Sequence, residues 1–63
     1  AALGLDQLPL LVKPIDVAEK LSISRSTVYS LIATGELVAL RMGPRSVRVL
    51  RESLRDFVRR QAE

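Results

Sequence analysis

The sequence contains neither cysteine nor histidine. Without cysteine there is no disulfide and no thiolate metal site to support a small fold. Without histidine, the commonest general base near neutral pH and the commonest transition-metal ligand are missing too. Long apolar runs are also lacking, and no stretch approaches the roughly 20 residues of a membrane-spanning helix. The apolar start, Ala1 to Val12, has no positive leading region and is broken by Gly4 and Pro9, so it does not read as a signal peptide. No repeat or low-complexity tract is present. At 63 residues the chain is one small domain, with little room for a deep substrate pocket. Together these absences exclude most enzyme classes, imply no cofactor, and leave a binding module.

What is present is an apolar fraction of 48%, enough to fold, with a stability of about 3–5 kcal/mol expected at this size. Ten Lys and Arg stand against seven Asp and Glu, net +3, which favours a polyanionic partner, nucleic acid first. The charge is divided unevenly along the chain. Residues 1–24 hold Lys13 and Lys20 against Asp6, Asp16 and Glu19; residues 25–63 hold all eight arginines against Glu36, Glu52, Asp56 and Glu63. Arginine presents a planar fork of donors that fits phosphate oxygens and guanine edges bidentately, which lysine cannot do.

The pattern predicts mainly α structure with a small β-hairpin. Residues 1–12 read as an extended N-terminal arm, since Pro9 disfavours helix before it, and residues 13–63 as the folded domain. A first helix over 14–21 opens at Pro14, with Asp16 and Glu19 near its positive end. Val17, Ala18 and Leu21 make its buried stripe, and Ile15 falls outside that stripe as a core cap or an exposed contact. Ser22-Ile23-Ser24 breaks the chain, with Ser24 capping a second helix over 25–34 that stops at Gly35. Val28, Leu31 and Ile32 share its inner face. Arg25, Ser26, Tyr29, Ser30 and Ala33 share the outer one, which carries small hydroxyls where a merely solvated face would carry Glu, Lys or Gln.

Beyond Gly35 the period shortens. Leu37 to Met42 and Ser46 to Leu50 read as two strands about a Gly43-Pro44-Arg45 turn, a hairpin carrying Arg41, Arg45 and Arg48. A last helix over about 52–61 buries Leu54, Phe57 and Val58. Arg51, Arg55 and Arg59 are expected near one another on its outside, with pairs such as Asp56 and Arg60.

Two short helices about a three-residue turn, then a hairpin, form a winged helix-turn-helix. The run from Val17 to Ile32, with Gly35-Glu36-Leu37, Arg41 to Arg45 and Leu54 to Val58, resembles the excisionase-like helix-turn-helix family, a small relative of the MerR-type DNA-binding domain. The resemblance covers about residues 11–59. It departs from the family at Lys13-Pro14-Ile15, where relatives carry a Ser or Thr cap. The long coiled-coil helix and effector domain of the MerR regulators are not expected here. The resemblance implies a second helix in the major groove, wing arginines at an adjacent minor groove, and several copies on neighbouring sites of double-stranded DNA. It implies a bacterial cytoplasmic, nucleoid-associated excisionase, or recombination directionality factor, that bends attachment-site DNA for a phage or mobile-element integrase. A small transcription regulator of the AlpA kind is the alternative, and a protein-interaction adaptor the second.

The residues expected at DNA are Arg25, Ser26, Tyr29, Ser30, Arg41, Arg45 and Arg48. Arg25 stands at the leading end of the helix, for guanine or phosphate. Ser26 and Ser30 let the helix sit deep, and the Tyr29 hydroxyl reaches for phosphate or the ring packs on the wing. Arg45 at the hairpin tip suits a narrow minor groove. Self-association is expected through the arm, with Leu8, Leu10, Leu11 and Val12, or through Ile15.

Overall fold

In a computed structural model, which describes residues 5–62, helix α1 spans Pro14–Leu21 and α2 spans Arg25–Ala33. Residues 1–4 of the expected arm lie outside the described residues. Pro14 occupies the first turn of α1, and Lys13 precedes it with no side-chain cap bond, the bare start that the sequence implied. Pro14, Val17 and Ala18 are buried, while Ile15 stays 46% exposed. At α2 the Ser24 Oγ accepts from the Thr27 backbone N–H at 3.2 Å and lies 2.9 Å from the Thr27 hydroxyl. This satisfies one of the free donors of a helix start.

Both helices end in the same way. After α1, the Ser22 N–H bonds the Glu19 carbonyl at 3.3 Å and the Ile23 N–H bonds that of Ala18 at 3.0 Å. After α2, the Gly35 N–H bonds the Ile32 carbonyl at 3.1 Å and the Glu36 N–H that of Leu31 at 2.9 Å. This paired pattern requires a left-handed residue at the pivot. Gly35 supplies it at φ +86°, and Ser22, despite its side chain, at φ +57°.

Three strands follow the order β1-β3-β2, all antiparallel. They are β1 (Leu11–Val12), β2 (Ala39–Gly43) and β3 (Ser46–Leu50). The hairpin was expected; β1 was not. Leu11 and Val12 join β3 opposite Leu50 and Val49, so these two residues belong to the sheet rather than to an extended arm. A two-residue strand is too short to show alternation, and only its partner reveals it. The hairpin turn is also tighter than the sequence implied, since Gly43 pairs with Ser46 and only Pro44 and Arg45 connect the strands.

Helix α3 spans Arg51–Ala62. The core draws Leu5 from the turn over Leu5–Gln7, Val12 from β1, Val17 and Ala18 from α1 and Val28 from α2. Leu37, Val49 and Leu54 complete it. Strand β2 contributes none of these buried residues. Its Leu40, Arg41 and Met42 are exposed, so the hairpin projects from the domain, anchored at its base.

Of the three arginines expected together outside α3, Arg55 and Arg59 line one shallow depression with Leu5 and Val58, while Arg51 turns inward. Arg51 is only 26% exposed at its side chain; it donates to the Leu8 carbonyl at 2.8 Å and lies 3.5 Å from Glu52. Its own backbone N–H donates to the Leu10 carbonyl at 2.8 Å. Arg51 is therefore a clasp for the N-terminal segment. Asp56 pairs with Arg59 at 3.7 Å rather than with Arg60, whose guanidinium instead donates to the Glu36 carbonyl at 3.3 Å.

Candidate nucleic-acid interface

Helix α2 packs principally against α1 and turns Val28 into the core. The remainder of its first two turns faces outward: Arg25, Ser26, Thr27, Tyr29 and Ser30 are all exposed, Tyr29 to 49%. The Tyr29 ring is thus available at the surface instead of being folded away. No acidic residue stands in the first turn of α2, so the positive end of the helix and Arg25 act in the same sense on an approaching anion. Ser24 is spoken for by its cap bonds, but Ser26 and Ser30 leave a low surface on which another body can approach closely.

The hairpin places its arginines differently from a single basic face. Arg41 stands opposite Val47, and Leu40 opposite Arg48. Successive strand residues point to opposite faces, so Arg41 and Arg48 lie on opposite faces of the ribbon, with Arg45 in the turn between them. Arg41 and Arg45 are exposed; Arg48 is half-buried, and its guanidinium donates to the neighbouring Val47 carbonyl at 3.0 Å. The ribbon therefore carries a cation on each flank and one at the tip. A register irregularity between Arg41 and Gly43 bends the ribbon and increases its twist near that tip.

Away from the ribbon, an open apolar groove of about 290 Å³ is lined by Leu21, Ile23, Leu31, Phe57 and Val58, with Thr27 and Gln61. No lining residue carries a carboxylate, amine or guanidinium. Among the described residues, no group of His, Cys, Asp or Glu is arranged to hold a metal ion, and no helix is long and apolar enough to cross a membrane.

Sequence reasoning missed one side chain that shapes this surface. Ser53, in the first turn of α3, accepts from the Val38 N–H at 3.1 Å and donates to the Leu50 carbonyl at 2.7 Å. A serine beside Glu52 and Leu54 carries no signal of this kind, because its partners lie at the base of the hairpin.

A two-helix unit with an outward second helix, followed by a β-ribbon braced on a closing helix, defines a winged helix-turn-helix. The family described as Helix-turn-helix domain matches residues 11–62, and the chain belongs to that family. Membership supports a DNA-binding function with double-stranded DNA as the partner. No curated protein matches the chain.

Proposed function

We propose that this protein is an excisionase, a recombination directionality factor that binds and bends attachment-site DNA so that a separate integrase excises a prophage or mobile element. The observation that carries the DNA-binding part is the division of the polar surface into two units on one small frame: the low face of α2 and the three-arginine ribbon. Arg25 and Tyr29, with Ser26 and Ser30, suit entry of α2 into a major groove, where a helix fits and base edges are distinguishable. The ribbon, with Arg41 and Arg48 on its two flanks and Arg45 at its tip, suits a minor groove, whose two walls both carry phosphate. The excisionase role itself rests on the resemblance of the run from Val17 to Leu37 to the excisionase-like family. Such a protein changes the shape of DNA and leaves bond breaking to its partner.

One domain of this size holds few phosphates. Neighbouring copies on adjacent sites would raise occupancy through effective concentration, and exposed Ile15 and Leu10 are among the apolar side chains available for such contacts.

Deleting the gene in its host and measuring the rejoined chromosomal junction by quantitative PCR tests the role. Loss of the junction, restored by the wild-type gene and not by one encoding Arg45→Ala, is the expected result. An unchanged junction with altered transcription of a neighbouring gene would make the protein a regulator with the same DNA surface. Absence of DNA binding at low salt would leave an adaptor whose arginines meet an acidic protein.

A further inference from the structure

We infer that Ser53 is the positioning residue of the ribbon: its hydroxyl fixes the angle at which Arg41, Arg45 and Arg48 are presented, and thereby sets DNA affinity without touching DNA. The inference rests on the proposed role of the ribbon in DNA binding.

Three hydrogen bonds close a ring at the base of the hairpin. The Val38 N–H donates to the Ser53 Oγ at 3.1 Å, the Ser53 hydroxyl donates to the Leu50 carbonyl at 2.7 Å, and the Leu50 N–H donates to the Val38 carbonyl at 2.9 Å. A hydroxyl has one proton to give. The Leu50 carbonyl at 2.7 Å takes that proton ahead of the Val38 carbonyl at 3.4 Å, so the ring has one consistent direction. It joins the entry to β2, the exit from β3 and the first turn of α3 through a single side chain.

The base of the ribbon is also held where β1 pairs with β3 at Leu50 and Val49 and where α1 and α3 pack on β3, but β2 and the tip lie beyond these restraints. Val49 is fully buried and Ala39 opposite it is half-buried, but Leu40, Arg41 and Met42 are exposed and β2 has only β3 as a partner. Beyond the Ala39–Val49 pair the hairpin is a cantilever. From Val38 to the Arg45 tip the strand rise gives a lever of about 20 Å, so a change of about 10° at the base displaces the tip by about 3–4 Å. That displacement exceeds the tolerance of a hydrogen bond to phosphate. Arg60 on the Glu36 carbonyl braces the same connection from the other end of α3, but acts before the strand begins.

The test is a double-mutant cycle between Ser53 and Arg45, read by fluorescence anisotropy on a 24-bp duplex selected from a random-sequence pool by the wild-type protein. It is run at a temperature where circular dichroism finds every variant folded, with Ser53→Cys standing in if Ser53→Ala does not fold. Ser53→Ala is expected to weaken binding about 5–10-fold and to reduce the slope of log K against log salt by about 1–2, as one or two phosphate contacts are lost. In that background Arg45→Ala is expected to cost less than about twofold more, because the tip no longer reaches its site. Ser53→Thr, which keeps the hydroxyl, is expected to bind within about twofold of wild type. If the Arg45→Ala loss persists undiminished in Ser53→Ala, or if Ser53→Ala keeps the wild-type slope, the role of Ser53 is overturned while the ribbon reading stands. If Arg45→Ala alone binds like wild type, or the pool yields no bound duplex, the ribbon reading falls and takes this inference with it.

Discussion

The guanidinium of Arg51 donates to the backbone carbonyl of Leu8 at 2.8 Å, across 43 residues of sequence. The bond ties the start of α3 to the segment that carries Leu5 into the core and Leu11 and Val12 into the sheet. Hydrogen bonds from a charged donor contribute about 1.5–3 kcal/mol, and this side chain is largely shielded from water. Arg51→Ala is therefore expected to lower stability by about 1–2 kcal/mol, and Arg51→Lys, which keeps one donor on a flexible stem, to recover only part of it. Chemical denaturation read by circular dichroism checks both. An Arg51→Ala variant as stable as wild type would mean the clasp contributes nothing.

The two matching helix ends offer a stabilising substitution. Gly35 meets the left-handed conformation freely, whereas Ser22 holds it at φ +57° against the preference of an L-residue. Ser22→Gly removes that strain at some cost in unfolded-chain entropy, and is expected to gain about 0.5–1 kcal/mol. The melting temperature should then rise by roughly 2–8 °C. A fall on thermal melting would show that Ser22 makes a contact worth more than its strain.

Core substitutions should rank by burial. Leu54 is completely buried, and Leu31 is half-buried on the wall of the apolar groove. Leu54→Ala is expected to cost about 2–5 kcal/mol, most of the stability of a domain this small. Leu31→Ala should cost less, because the groove already exposes part of its side chain. Equal losses on denaturation would contradict the burial pattern.

Much of this was legible in advance because the signals were local. The Ser24 cap, the Gly35 stop, the period of Val28 and the alternation of Ser46 to Leu50 each depend on neighbours within four residues. The sequence reading therefore matched the extent of α1 and β3, came within one residue at the ends of α2 and α3, and opened β2 two residues early. What was not legible depended on distant partners. β1 is defined only by β3, the Arg51 clasp by Leu8 and Leu10, and the link from Ser53 to the hairpin by Val38. The strain at Ser22 was hidden because the sequence shows a serine where the backbone asks for glycine. At the candidate interface the exposed positions on α2 were readable from the helical period. The division of Arg41 and Arg48 between two faces required the pairing register.

The two units of the surface should fail differently. Arg25→Ala is expected to reduce discrimination between the selected duplex and a scrambled one by about 1–3 kcal/mol, as loss of a base-edge contact does. Arg45→Ala should weaken both duplexes by a similar factor of roughly 5–10, the behaviour of a phosphate contact. Competition binding on the two duplexes separates the cases, and identical profiles for the two variants would argue against separate roles.

The central claim is that α2 and the ribbon together hold double-stranded DNA through arginine. Its most direct test is a salt titration of wild-type binding to the selected duplex. With about five phosphates neutralised, log K should fall against log salt with a slope of about −4 to −5. A slope near zero, or no binding at about 50 mM salt where phosphate contacts are strong, would contradict it.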